Sequence, residues 1–176
     1  TSCEVSPDCG NGNIDGNEQC DGTNLNNQSC TTINGGFTGG TLDCTDQCTF
    51  DDSACYGGSA ASAQIQAARD SVDGTGLNFP IAGVVVTPKI PTVQTSPAGF
   101  VVQAEQAGPA LFIQVDPTTL TPEPQVGDIV SFTITGMGQI YDLRQAIEIA
   151  DYDRLDTGFD VTDLYQNVDA AADLVT

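Results

Sequence analysis

Histidine is absent from this 176-residue chain, tryptophan is absent, and lysine and arginine together number 4 against 24 aspartates and glutamates. The first absence removes the usual general base, the Ser-His and Cys-His nucleophile pairs and the commonest zinc ligand. The shortage of cations leaves a formal net charge of -20, which repels a phosphate backbone and makes nucleic acid an unfavourable partner. No apolar run is long enough to span a bilayer and no basic cluster holds an anionic leaflet, so membrane insertion is not expected. No cysteine follows Cys55.

What is present is concentrated. All 7 cysteines, Cys3, Cys9, Cys20, Cys30, Cys44, Cys48 and Cys55, lie in the first third of the chain. The large apolar residues around them, Ile14, Leu25, Ile33, Phe37, Leu42, Phe50 and Tyr56, are too thinly spread to bury a core. Cross-links must therefore replace packing, and residues 1–57 are expected to be a disulfide-rich domain. Zinc is the competing use of the thiols, but it wants paired Cys-x-x-Cys knuckles, whereas the closest pair is Cys44 and Cys48. Disulfides place the protein outside the cytosol, secreted or at a cell surface, with a leader expected to have been removed before Thr1. The number being odd, Cys3 is the candidate for an unpaired or intermolecular thiol, and the connectivity of the others stays open.

The cysteine-bearing segment is dense in turn signals: Asn11-Gly12, Asp15-Gly16, Asp21-Gly22 and Asn34-Gly35-Gly36. Residues 38–44 and 47–50 have the composition of a short hairpin, and Gly57-Gly58 marks the boundary. Residues 58–71 are expected to be a linker or short helix, since 59–70 hold strong helix formers with Ser59 or Ser62 as the N-cap. Beyond Phe79 the texture turns to β-branched runs: residues 81–87, 100–104, 111–115, 129–135 and, more weakly, 140–149. Phe132 and Ile134 alternate with Ser131, Thr133 and Thr135, as a half-buried barrel strand requires. Residues 144–150 also fit a helix. From Val161 the spacing of Leu164, Tyr165, Val168, Ala171, Ala172 and Val175 is one face of a C-terminal helix with Asp160 or Thr162 as cap, and its stripe runs almost to Thr176, as in a fragment of a longer polypeptide.

Asn11, Asn13, Asp15 and Gly16 occupy positions 1, 3, 5 and 6 of a calcium loop of the EF-hand type. Position 12 is Gly22 rather than glutamate, so the loop is no EF-hand. Asn11, Asn13, Asp15, Glu18 and Asp21 nonetheless offer oxygens to Ca2+, the one cofactor this composition favours. Asn-Gly and Asp-Gly as plain turn formers account for the same residues. Cys9-Gly10-Asn11-Gly12 followed by Glu18-Gln19-Cys20-Asp21-Gly22, with Gly39 to Cys44, Cys48 to Asp51 and Cys55, resembles the CGNG-type cysteine-rich repeats of bacterial secreted multidomain proteins over about residues 9–55. That resemblance implies a non-enzymatic module whose disulfides cage a calcium ion.

Gly83-Val84-Val85, Gly99 to Gln103, Gly108 to Val115, Val126 to Val130 and Tyr141 to Gln145 resemble the OB-fold domains attached to secreted bacterial nucleases over about residues 72–158. The resemblance implies a five-stranded barrel, OB-like, within a domain over 72–176, and a strand face that binds oligonucleotides or oligosaccharides. The cations there are only Lys89, Arg144 and Arg154, and Phe79, Phe100, Phe112, Phe132, Tyr141 and Tyr152 are accounted for as core. Arg144 is expected to meet the acidic stretch Asp151, Asp153, Asp156 and Asp160 in a salt-bridge network or a subunit contact. Glu148, Asp151 and Asp153 lack a cleft that would separate their pKa values for glycoside hydrolysis, and Ser53, Ser71 and Ser131 lack a base. The expectation is a mainly β, non-enzymatic extracellular module, structural or adhesive, able to self-assemble or to bind other surface proteins. The alternative is an accessory domain of a larger secreted hydrolase or nuclease, with an oligosaccharide as ligand.

Overall fold

A computed structural model describes residues 9–92, 97–140 and 143–164. The chain divides into two compact units, Thr1–Gly58 and Ser59–Thr176. Cys3 and the expected C-terminal helix beyond Leu164 lie outside the described residues.

The first unit has little regular structure, as its glycine and asparagine content requires. Two antiparallel ladders cross it: β1 (Phe37–Gly40) with β4 (Cys55–Gly57), and β2 (Asp43–Cys44) with β3 (Phe50–Asp51). The hairpin is thus confined to Asp43–Asp51, while residues 37–40 pair instead with 55–57. Three disulfides, Cys9–Cys48, Cys20–Cys44 and Cys30–Cys55, close loops of 39, 24 and 25 residues. In the chain-entropy picture each such closure disfavours the unfolded state by about 3–4 kcal/mol, more than the thin apolar content of this unit supplies. Cys20, Cys30, Cys48 and Leu42 are what is buried there among hydrophobic residues. Gly58 closes the unit at a close approach: with φ 58°, a Cβ would lie 2.2 Å from the Gly35 carbonyl oxygen.

The second unit is a closed barrel in the order β5-β6-β7-β9-β8, built from β5 (Gly74–Ile90), β6 (Gly99–Gln103), β7 (Ala110–Ile113), β8 (Ile129–Ile140) and β9 (Leu143–Asp156). All neighbours are antiparallel except β7 and β9, which run parallel where Phe112 and Ile113 face Gln145 and Ala146. Closure rests on the 17-residue β5. Its register shifts between Ile81 and Val84 and again between Val86 and Lys89, so that its first half pairs with β8 and its last half with β6. Such bulges bend and twist a strand, which is how a sheet turns back on itself. Phe132 and Ile134 are buried and Ser131, Thr133 and Thr135 half-buried, matching the alternation in sequence.

Residues 144–150 are strand, not helix. β9 also runs on through Asp151, Asp153 and Asp156 of the acidic stretch, beyond the strand-like run expected at 140–149. A register shift at Asp151, whose φ is 53°, lets the strand continue with Tyr152 and Arg154 half-buried and the aspartates exposed. The segment expected as a linker or short helix is the helix α1 (Gly58–Arg69), and Ala61, Ile65 and Ala68 on one face of it join the barrel core with Val84, Phe100, Phe132 and Met137. Ser59 and Ser62 fall inside this helix rather than capping it. After the barrel, Val161–Leu164 form a single 3-10 turn, and Asp160 accepts from the Thr162 N–H and hydroxyl, which hold its carboxyl below the usual range. No helix among the described residues is long and apolar enough to cross a membrane.

Two outcomes follow. Ile65 is fully buried, so Ile65→Ala should lower barrel stability by about 2–5 kcal/mol in denaturant melts; an unchanged midpoint would mean that α1 is a linker after all. Burial, and then the Asp128 carboxylate, push the Tyr152 phenol up to about 12. The folded group holds its proton where an unfolded tyrosine has lost it, so stability falls as pH rises from about 10 towards 12. Tyr152→Phe should flatten that fall, and an equally steep fall in the variant would contradict the assignment.

Candidate functional sites

The glycines of Cys9-Gly10-Asn11-Gly12 have a geometric task. Gly10 and Gly12 adopt φ 96° and 89°, a region that disfavours side chains, although neither would meet a neighbour within 4 Å. The conformation turns successive N–H groups to one side, the concavity that binds anions in many proteins. Here the anion is internal. The Asp21 carboxylate, 2% exposed, accepts from the Gly10 N–H at 2.8 Å, the Asn11 N–H at 3.2 Å and the Gly12 N–H at 3.0 Å. Asp21 is itself fixed by reciprocal backbone bonds with Asn24, both 2.8 Å. Cys9 and Cys20, flanking this loop, are tied to Cys48 and Cys44. The Gln19 N–H donates to the Cys48 carbonyl and Gln19 Oε1 accepts from the Phe50 N–H.

The residues expected to hold calcium are linked by hydrogen bonds to one another and to the backbone, with Asn11, Asn13 and Asp15 exposed and Glu18 half-buried. Asn11 Oδ1 accepts from the Asn13 N–H at 2.7 Å, Asn11 Nδ2 donates to Asp15 Oδ2, and Glu18 Oε2 accepts from the Asp15 N–H at 2.9 Å. Both Asp21 oxygens are spent on backbone. The side-chain oxygens of these residues that accept no hydrogen bond are Glu18 Oε1, which is buried without a partner, Asp15 Oδ1 and the Asn13 amide oxygen; a hard cation would need six to eight oxygens, backbone carbonyls and waters included. Cys9, Glu18 and Cys48 place ligand-type atoms within 4.8 Å of one another, yet the two sulfurs are joined as a disulfide and offer no thiolate to a metal.

The barrel carries a groove of about 590 Å³ that sequence reading did not identify. Val101 and Phe112, which face each other across β6 and β7, point outward, while their neighbours Val102, Leu111 and Ile113 fill the core. Ile90, Ile140 and Leu143 complete its apolar wall and are 39%, 43% and 52% exposed. Among the described residues no carboxylate lines this groove, and the charged residue in its lining is Arg69. The signal was present as unbroken apolar runs: Phe100-Val101-Val102 and Leu111-Phe112-Ile113 offer no polar face to solvent, although each strand has only one side in the core.

The cations are all committed. Lys89 pairs with Glu123 and Arg154 with Asp128 at 3.3 Å, while Arg69 donates to the Ala110 carbonyl. Arg144 pairs with Asp73 and donates to the carbonyls of Arg69 and Ser71, not to the acidic stretch of β9. Of the aromatics expected in the core, Phe100 and Phe132 are fully buried and Phe79 and Tyr152 pack against it. Phe112 faces the groove instead, and Tyr141 lies outside the described residues. Glu148, Asp151 and Asp153 are exposed along β9. Ser71 donates to the Ala68 carbonyl.

Asp21→Asn removes a buried charge that accepts hydrogen bonds from three amides, and should destabilise the first unit by about 2 kcal/mol with chelator present. Asp15→Asn, at an exposed position, should stay within about 0.5 kcal/mol. Equal losses for both variants, appearing only when calcium is added, would restore the metal cage. No known protein family, curated protein or solved structure matches the chain.

Proposed function

We propose that the protein is a non-enzymatic extracellular module, structural or adhesive, that associates with further copies of itself through the barrel groove. The observation that carries this reading is the groove's composition. Three large aliphatic side chains, Ile90, Ile140 and Leu143, stand exposed beside Phe112 on a surface whose described lining residues include no carboxylate. An exposed apolar patch on an otherwise highly charged protein marks an interaction surface. Copies carrying a net charge of -20 repel one another least where no carboxylate faces the partner, and salt or calcium lowers the remaining repulsion. Calcium enters as a counter-ion in this reading, not as the organiser of the N-terminal loop. The three disulfides fit an oxidising compartment, and secretion or surface display is the compartment proposed. The absence of histidine, together with serines and carboxylates that lack a base or a cleft, supports a role without catalysis.

A second reading draws on the groove's position. It lies on the second and third barrel strands, β6 and β7, and is flanked by Pro97 between β5 and β6 and by Ile140 and Leu143 at the adjoining ends of β8 and β9. OB-like barrels bind ligands on that face, which supports an accessory ligand-binding domain of a larger secreted enzyme. Single-stranded nucleic acid is disfavoured as the ligand, because the cations are spent within the fold and, among the described residues, Phe112 is the one aromatic lining the groove.

Light scattering of the unreduced protein in millimolar calcium, after chelation, and at high salt decides between the two. Assembly that rises with ionic strength and is abolished by Leu143→Asp is expected. A monomer under all three conditions would overturn self-association, and assembly that persists in Leu143→Asp would move the contact away from the groove.

A further inference from the structure

The first unit holds a second concavity, of about 400 Å³, whose chemistry is the opposite of the barrel groove. Its floor is Phe50 and Ile33, both half-buried. Its polar lining comes from Gln19, Gln28, Asn34 and Asp52. These come from distant stretches of chain, brought together where the Cys9–Cys48 and Cys30–Cys55 bridges hold residues 19–34 close to 50–52. The arrangement contrasts with the neighbouring 10–21 loop. There the carboxylates and amides bond one another and the backbone. Among the described residues no hydrogen bond engages the side-chain amides of Gln28 and Asn34 or the Asp52 carboxylate. Gln19 is held by its Oε1, which accepts from the Phe50 N–H at 3.0 Å, and its Nε2 stays uncommitted. Planar groups with unspent donors and acceptors therefore surround a half-exposed aromatic ring, anchored by one hydrogen bond to that ring's own backbone.

We propose that this concavity is a binding site for a neutral hexopyranose unit of an oligosaccharide. Adjacent sugar hydroxyls are each donor and acceptor, and side-chain amides and a carboxylate bond such pairs through two atoms at once. The apolar C–H face of the sugar ring covers Phe50, as an apolar ligand body covers an aromatic ring in mixed pockets. Charge restricts the ligand. The chain's four cations, Arg69, Lys89, Arg144 and Arg154, all belong to the other unit, and Asp52 repels anions, so sulfated, phosphorylated and uronic sugars are rejected. This site is independent of self-association through the barrel groove and lies on the other unit.

The test is a titration of the isotope-labelled full chain with neutral tetrasaccharides of glucose, mannose, galactose and N-acetylglucosamine, followed by amide NMR at millimolar concentration. At least one sugar should shift the side-chain amides of Gln19, Gln28 and Asn34 and the backbone amide of Phe50, and leave the signals of Val101, Phe112 and Leu143 in place. Asp52→Ala and Gln28→Ala alter side chains that bond nothing within the fold, so both should keep the wild-type spectrum, and each should weaken binding at least fivefold. Leu143→Asp should bind the sugar normally, which separates this site from the groove. No shift at these residues with any of the four sugars, shifts confined to the barrel, or unaltered affinity in both variants would overturn the assignment.

Discussion

Four cations against 24 carboxylates is the constraint to which the rest of the molecule conforms. A buried carboxylate must be compensated, and this chain has few side chains with which to do it. Backbone N–H groups take over. Asp21 at 2% exposure is held by three of them and by no cation. Asp128 at 3% exposure combines the Gln125 N–H at 2.8 Å with Arg154 at 3.3 Å. The remaining cations bind carbonyls or single carboxylates of the barrel unit, so none is left over to attract an anionic ligand. The same shortage shapes the surface: the net charge of -20 repels other copies and other anions, and the barrel groove is an apolar region with no carboxylate among its described lining residues.

The two units answer the folding problem in different ways. The barrel buries aliphatic and aromatic side chains from five strands and one helix, and its stability is a matter of packing. The first unit has almost no such core. Three disulfides restrict its unfolded state, and a buried aspartate organises the loop between two of its cysteines. That division explains why the groove for an apolar partner is on the barrel, while the concavity rich in uncommitted amides is in the disulfide-held unit. A surface free of core-forming duty can keep its polar groups unspent.

Much of this was legible in advance. The asymmetric placement of cysteines located the disulfide-rich unit, and the β-branched runs between Ile81 and Ile149 located the barrel strands. Three features were hidden for physical reasons. Residues 58–71 left linker and helix open, because Ala61, Ile65 and Ala68 form a narrow apolar stripe whose part in the core shows only with the barrel there to receive it. The extension of β9 through Asp151, Asp153 and Asp156 was not expected, because strand propensity counts charge against aspartate, yet antiparallel pairing with β8 needs only that alternate positions face inward. Among the oxygens between Asn11 and Asp21, spacing reveals which lie near one another but not that three backbone N–H groups converge on Asp21. The glycines with positive φ were the missed signal: Gly10 and Gly12 serve the turning of N–H groups toward a single acceptor.

The central claim, that the Asp21 carboxylate gathers the N–H groups of the N-terminal loop, is tested most directly by hydrogen exchange at the amides of Gly10, Asn11 and Gly12 in the presence of chelator. Slow exchange in the native protein, lost in Asp21→Asn and unchanged by added calcium, is the expected result. Fast exchange in the native protein that becomes slow only when calcium is added would contradict it.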